Sequence, residues 1–192
     1  MKKLKLFGMF ALTFALVFGV VSCSSGSSND DLEEVLKEDD VDLSGTWEVT
    51  DIDMAYDIDI DGEGITSDAK KLAKEEFEKS MLKGKTIDDL TLDEKIAMVG
   101  CPKTVTLSTK EEAKAFFDNM VKQAKETNDK YKNGPVEERA FGVSAKVTEE
   151  MSVEMNKDRT KFIYGTAFTY EMDYTVYKIT MDSDAEVTYT KK

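Results

Sequence analysis

The side chains of this chain that could take part in chemistry are two cysteine thiols, Cys23 and Cys101, and a large excess of carboxylates. Histidine is absent from all 192 residues. Its absence removes the commonest general base, the usual zinc ligand and every nucleophile that a histidine would activate. No catalytic carboxylate pair, phosphate loop or nucleophile elbow is recognisable. We therefore predict a protein that is not an enzyme and has no catalytic residues.

One dense group of carboxylates follows the pattern Asp57-x-Asp59-x-Asp61-Gly-Glu63, with Asp68 five residues further on. This spacing resembles the calcium loop of EF-hand proteins, which has oxygen ligands at positions 1, 3 and 5, glycine at 6 and a carboxylate at 12. The resemblance implies a Ca²⁺ site formed by these five acidic residues. It departs from the family at position 8, which is a glycine, and at position 12, where an aspartate replaces the glutamate.

The favoured interpretation of the same segment is a β-strand. Ile58 and Ile60 would then face inward and the aspartates between them outward, with a turn at residues 61–64.

Cys23 follows the three parts of an export signal. Lys2, Lys3 and Lys5 form the basic start, and an apolar run extends from residue 6 to residue 21. This run of 16 residues is shorter than the roughly 20 that a helix needs to cross a bilayer. Residues 1–22 are therefore predicted to be a signal peptide and not a permanent span.

The four residues Val20-Val21-Ser22-Cys23 resemble the lipobox of bacterial lipoproteins, which has an aliphatic residue three places before the cysteine and a small residue just before it. The resemblance implies cleavage after Ser22, a diacylglycerol on the Cys23 thiol and an N-acyl chain on the new amino terminus. Several acyl chains together hold a protein stably on a membrane. We expect an exported protein anchored by lipid to the cell membrane or the outer membrane, with no other cofactor than the possible Ca²⁺.

Residues 23–42 are rich in serine, glycine and acidic residues and are predicted to be a flexible tether. A helical turn around Leu32, Val35 and Leu36 is the alternative to a solvated arm. Without the signal the chain has 23 basic and 39 acidic residues, which gives a formal charge of −16. This charge argues against nucleic acid as a partner and against electrostatic attraction to an anionic bilayer. We expect a monomer whose partners are the membrane, through the anchor, and an unknown ligand or protein.

Residues 43–192 have the size of a single domain. Their hydrophobic periodicity predicts an α+β fold, an antiparallel β-meander with about three inserted helices. The first strand needs a bulge near residues 50–51, because its apolar positions change parity there.

Cys101, in a loop, is predicted to be a small apolar filler. The predicted strands cover 44–61, 104–107, a strand around 147–155, the divided run 160–181 and 185–190, with turns at 156–158 and 182–184, and the predicted helices cover 68–83, 92–99 and 110–132.

The segment Leu43-Ser44-Gly45-Thr46-Trp47 resembles the opening of lipocalin-like proteins, whose antiparallel barrel closes over an apolar ligand. The resemblance implies that Trp47 plugs the closed end of such a barrel. The helices predicted within residues 67–133 interrupt the strand succession, so an open sheet packed on helices remains the alternative.

A row of aromatic residues follows at alternating positions, and these are the candidate ligand-binding residues together with Trp47: Phe162, Tyr164, Phe168 and Tyr170. They form either an apolar pocket or ordinary core. The predicted function is a non-enzymatic binding module for a small apolar ligand or a protein partner. The alternative is an acidic interaction or structural protein that engages a basic partner or Ca²⁺.

Overall fold

The computed structural model describes residues 29–38, 41–140, 143–174 and 177–192. These residues form a curled antiparallel sheet with helices packed on it, which confirms the predicted α+β class. The three predicted inserted helices are present, and a fourth, short helix precedes the first long strand. The strands are β1 (Asn29–Asp31), β2 (Gly45–Gly62), β3 (Thr104–Leu107), β4 (Val136–Ala140), β5 (Val143–Asn156), β6 (Lys161–Asp173) and β7 (Tyr177–Lys191), and the helices are α1 (Leu32–Leu36), α2 (Ser67–Met81), α3 (Leu92–Val99) and α4 (Lys110–Tyr131), with a 3₁₀ turn at Ile87–Asp89.

The sheet has the strand order β1-β5-β6-β7-β2-β3, and β4 pairs with β5 further along the edge that also carries β1. Within the described residues, β3 at one edge does not pair with β1 or β4 at the other, so the sheet is a half-barrel. Helix α4 contacts both β3 and β5 and therefore bridges the two edges. The inner face of the half-barrel is the side that these helices cover.

Strand β2 contains the predicted bulge. Val49 pairs with Tyr189 of β7, whereas Asp51 pairs with Thr188, so Thr50 is the extra residue between them. The bulge brings Trp47, before it, and Ile52, after it, onto the same buried face. A single inserted residue thus resolves the change of parity seen in the sequence.

The run 160–181 is divided as predicted, since β6 ends at Asp173 and β7 begins at Tyr177, and the turn after Asn156 is also confirmed. The turn predicted at residues 182–184 is wrong, because β7 continues through it without a break. Asp182 and Asp184 are outward residues of a regular strand, and Asp182 accepts a hydrogen bond of 2.6 Å from the hydroxyl of Thr169 on β6. Strand pairing on both sides of β7 overrides the turn preference of these polar residues.

Helix α3 begins and ends at residues with clear capping roles. Thr91 accepts the Glu94 amide while the Glu94 carboxylate accepts the Thr91 amide, which is a capping box at the start of α3. Gly100 ends this helix in the left-handed conformation (φ 71°) that glycine adopts without strain. Helix α2 begins at Ser67, one residue earlier than predicted, and Thr66 is its N-cap.

Helix α1 belongs to the folded part, where the sequence favoured a solvated arm. Its apolar residues Leu32, Val35 and Leu36 are spaced to share one helix face, and all three are buried in the main core. Burial of three aliphatic side chains outweighs the local charge density. The folded part therefore includes residues before Leu43, and the buried apolar residues of the described ranges extend from Leu32 to Tyr189.

None of the helices in the described ranges combines the length and the apolarity that crossing a bilayer requires.

Candidate functional site

The inner face carries two separate apolar clusters, and the first lies at the end of the half-barrel that contains Trp47. The Trp47 ring is fully buried and meets Phe117 of α4 and Phe162 of β6 edge to face, with ring centroids 5.7 and 5.2 Å apart. Its indole nitrogen donates a hydrogen bond of 3.1 Å to the Leu43 carbonyl. This end is closed by well-packed side chains in the way that an ordinary core is.

The second cluster lies at the opposite end, which we call the Tyr174 end, and it is incompletely covered. Its floor is buried, but its rim is only half-buried. The rim side chains come from four different elements and one turn: Ile60 of β2, Phe77 of α2, Val136 of β4, Ile179 of β7 and Tyr174 of the β6–β7 turn. The two ends of the half-barrel therefore differ in how far their apolar side chains are shielded from water.

The structure does not bring the five predicted ligand-binding aromatics together in one site. Trp47 and Phe162 belong to the closed end, where they are core residues. Phe168 and Tyr170 form the floor of the Tyr174 end, with ring centroids 6.3 Å apart. Tyr164 is half-buried at the margin of the first cluster.

Between the two clusters, the inner face becomes polar. Glu149 of β5 pairs with Phe168, Phe168 with Ser183, and Ser183 with Tyr56, so these four residues form one row across the sheet. In the adjacent row lies Thr166, a buried polar residue with 4% of its surface exposed. We call Tyr56, Glu149, Thr166 and Ser183 the polar belt.

Two phenol groups, Tyr56 in the polar belt and Tyr164 next to it, have raised pKa values. Burial, followed by the charge of Glu149, raises the pKa of Tyr164 to about 12. Burial and the charge of Glu78 raise the pKa of Tyr56 to about 12. Both hydroxyls therefore stay protonated at physiological pH and can donate hydrogen bonds.

The belt and the half-buried rim are absent from the set that the sequence predicted. Glu149 nevertheless has a visible signal, because it occupies the inward position between Val147 and Met151 in an alternating strand. Phe77 and Ile179 carry no such signal, since only the docking of α2 and the β6–β7 pairing bring them together.

The predicted calcium ligands lie on the outer face of β2 and in the segment that follows it. Asp57, Asp59 and Asp61 alternate along β2, as the strand interpretation expected. The Cα atoms of successive aspartates are therefore about 6.6 Å apart along the strand. Lys74 of α2 pairs with Asp57, and Lys70 lies 3.5 Å from Asp59 and 2.9 Å from Asp61.

Lysine hydrogen bonds lower the pKa of Asp57 and of Asp61. Glu63 and Asp68 follow the strand, in the β2–α2 turn and the first turn of α2. In the described part of the chain no three acidic or thiol groups are arranged to hold a metal ion, and calcium binding stays a prediction.

The outer face of β2 and β7 carries a dense set of carboxylates. Asp53 pairs with Glu186 and Asp57 with Asp182, so acidic residues face one another across the two strands. Burial, with the charges of Asp182 and Asp53, raises the pKa of Asp184. Like charges held this close destabilise the fold locally.

Of the two cysteines, the structure describes only Cys101. Cys101 is half-buried against the first cluster, and burial raises the pKa of its thiol, which fits the predicted role of an apolar filler. Cys23 and the lipobox lie outside the described residues, so lipidation stays a prediction.

No protein-family model, curated protein or solved structure matches this chain.

Proposed function

We propose that this protein is a lipid-anchored binding module of the bacterial cell envelope that takes an apolar ligand at the Tyr174 end of its half-barrel. The observation that carries the proposal is the contrast between the two ends. The Trp47 end is filled by fully buried rings, whereas the Tyr174 end exposes part of an aromatic and aliphatic rim above a buried floor. A concave apolar surface with a few polar groups at its base is the usual form of a small-molecule site.

Helix α2 supports access to this end, because it is weakly attached. None of its residues from Ser67 to Ser80 is fully buried, and Leu72 is 59% exposed. Its contacts with the sheet include the half-buried Phe77 ring and ion pairs of Lys70 and Lys74 with exposed aspartates of β2, and exposed ion pairs contribute little to stability. A segment with few buried contacts opens at low free-energy cost, so α2 can act as a movable cover.

The test uses residues 24–192, which include all the described residues, and an environment-sensitive apolar dye. We expect saturable dye binding that Ile179→Lys abolishes, because a lysine on the rim places a charge in the apolar site. The matched control is Thr180→Lys, which adds the same charge to the next residue, on the outer face. Equal dye binding by the two folded variants would count against a site at the Tyr174 end. Native mass spectrometry of the same protein would look for a co-purifying lipid.

The anchor is tested separately with the full-length chain. Cys23→Ala removes the proposed acylation site and should leave the fold unchanged. We expect the variant to leave the membrane fraction, or to be washed from it with salt. Retention equal to that of the unmodified sequence would argue against the lipobox.

A second candidate function uses the acidic outer face, which could engage a basic protein segment. The raised pKa of Asp184 is the specific observation in its favour, since a cationic partner would relieve the repulsion that causes it. Binding of an oligolysine peptide should weaken several-fold in the double variant Asp53→Asn, Asp184→Asn. It should be unchanged in Asp129→Asn, Asp158→Asn, which removes the same charge elsewhere.

A further inference from the structure

The lipid anchor of the proposed function would be attached close to the Trp47 end of the half-barrel. Strand β1 pairs with the last residues of β5, so that Asn29 lies opposite Asn156. Leu32, which follows β1, is fully buried in the first cluster, and this cluster fills the Trp47 end. The segment that leads back to Cys23 therefore starts at this end, beside the β5–β6 turn.

The length of this segment limits how the anchored domain can be oriented. Asn29 is the sixth residue after Cys23, and a fully extended chain of that length spans about 20 Å. The Tyr174 end lies at the other end of β6, whose 13 residues extend over about 40 Å. The Tyr174 end cannot point straight at the bilayer, because the anchor would then have to reach about twice as far as the segment allows.

The distribution of charge disfavours an orientation in which the outer face lies flat on an anionic bilayer. The outer face of β2 carries five aspartates, and two lysines of α2 offset only part of this charge. Strand β7 adds Asp182 and Asp184 to the same face. Residues 157–161, at the β5–β6 turn, have the opposite balance, with three basic residues and one aspartate, and of these Arg159 pairs with Glu38. Anionic head groups therefore repel the outer face more strongly than the turn beside the tether.

We infer that the Trp47 end is the membrane-facing side of the anchored protein and that the Tyr174 end opens away from that membrane. This inference rests on the lipid anchor of the proposed function. An apolar ligand then reaches the Tyr174 end through the aqueous compartment of the envelope. It does not enter sideways from the bilayer that holds the anchor.

The orientation is measured by energy transfer from a fluorophore on the protein to head-group-labelled lipid. The full-length, lipidated protein is reconstituted in vesicles of phosphatidylcholine and phosphatidylglycerol. Asp158→Cys at the β5–β6 turn and Asp173→Cys at the end of β6 place the fluorophore at exposed positions, and each removes one aspartate. Both are combined with Cys101→Ala, and the acylated Cys23 does not react with the label.

We expect strong transfer from position 158 and several-fold weaker transfer from position 173, because the two positions lie about 40 Å apart along the sheet. Circular dichroism verifies that each variant is folded. If Cys101→Ala does not fold, both labels are attached in its absence, and the labelled unmodified chain supplies the background of Cys101.

A longer tether tests the cause of the orientation. Insertion of about 20 glycine and serine residues between Ser28 and Asn29 extends the maximal reach of the anchor to about 90 Å. Transfer from position 158 should then fall, and the difference between the two positions should shrink. A difference that is unchanged by the insertion would contradict an orientation set by the tether.

The outcomes separate this inference from the proposed function. Equal transfer from the two positions, or stronger transfer from position 173, would overturn the orientation while the anchor stands, since the vesicle still holds the protein. An unmodified chain that does not bind vesicles would refute the anchor, and the inference would fail with it. Dye binding at the Tyr174 end is measured on residues 24–192 and is independent of both results.

Discussion

The side-chain amide of Asn128 on α4 pairs with the backbone of Met151 on β5 as a neighbouring strand would. Its oxygen accepts the Met151 amide at 2.8 Å, and its nitrogen donates to the Met151 carbonyl at 2.9 Å. Met151 lies in the stretch of β5 between the segments paired with β4 and with β1. One side chain therefore satisfies an open position of the sheet edge and fixes α4 across the half-barrel.

We expect Asn128→Ala to lower the free energy of unfolding by about 1 kcal/mol, because two backbone hydrogen bonds would pass to water. Urea denaturation followed by the fluorescence of Trp47, the single tryptophan, measures the change. Asn119→Ala is the matched control, since Asn119 is an exposed asparagine of the same helix. Because alanine favours helix more than asparagine does, Asn119→Ala should be neutral or slightly stabilising. Equal changes of stability in the two variants would contradict a stabilising edge contact of Asn128.

Replacement of Trp47 should have a much larger effect on stability. The ring is fully buried between Phe117 and Phe162, so Trp47→Ala should cost about 3–5 kcal/mol. Trp47→Phe should cost less, because it keeps an aromatic ring but loses the hydrogen bond to Leu43. Circular dichroism during urea denaturation measures both variants. A near-neutral Trp47→Ala would contradict the view that this end is filled core.

Asp184→Asn should stabilise the protein by about 0.5 kcal/mol at neutral pH, because it removes one charge from a repulsive group that is mostly solvent-screened. The pKa of Asp184 is higher in the folded than in the unfolded chain. The penalty is therefore fully present above the folded pKa and fades as the pH falls through it. The gain of the variant should disappear in acid.

Thermal unfolding of Asp184→Asn across this pH range is compared with that of Asp158→Asn, in the turn after β5. A gain that persists unchanged in acid would exclude charge repulsion as its cause.

The Cys101 thiol should react slowly with an alkylating reagent at neutral pH. Its pKa is raised by burial, so the thiolate fraction is lower than for a free cysteine, and its side chain is half-buried against the first cluster. Mass spectrometry of residues 24–192, in which Cys101 is the single cysteine, follows the labelling. Labelling in urea gives the unprotected rate. Native labelling at that same rate would argue that Cys101 is not held against the core.

Much of the local structure could be read from the sequence. The parity change between Val49 and Ile52 predicted the bulge, and the hydrophobic periodicity predicted helices α2, α3 and α4. The turn predicted at residues 182–184 is wrong, because pairing with β6 and β2 on either side of β7 outweighs the turn preference of these polar residues. The solvated arm favoured for the segment of helix α1 is wrong for a similar reason. Its three apolar residues become stabilising only when α4 and the sheet bury them.

The candidate site was largely beyond prediction from the sequence. Of the five aromatics expected to line it, Phe168 and Tyr170 lie in the floor of the Tyr174 end, whereas Trp47 and Phe162 are core. Alternation along one strand assigns residues to a face, but it does not say which end of the face is filled.

The sequence by itself determined the local features: the bulge, the capped helices, the inward and outward faces of each strand, and the acidic charge. These depend on backbone geometry, hydrogen bonding and periodicity within a few residues. The tertiary structure alone decided that α4 bridges the two edges, that the Trp47 end is closed, and that Phe77 and Ile179 border one apolar cluster. Those features depend on contacts between residues far apart in the chain, whose free energy arises only when distant surfaces are buried together.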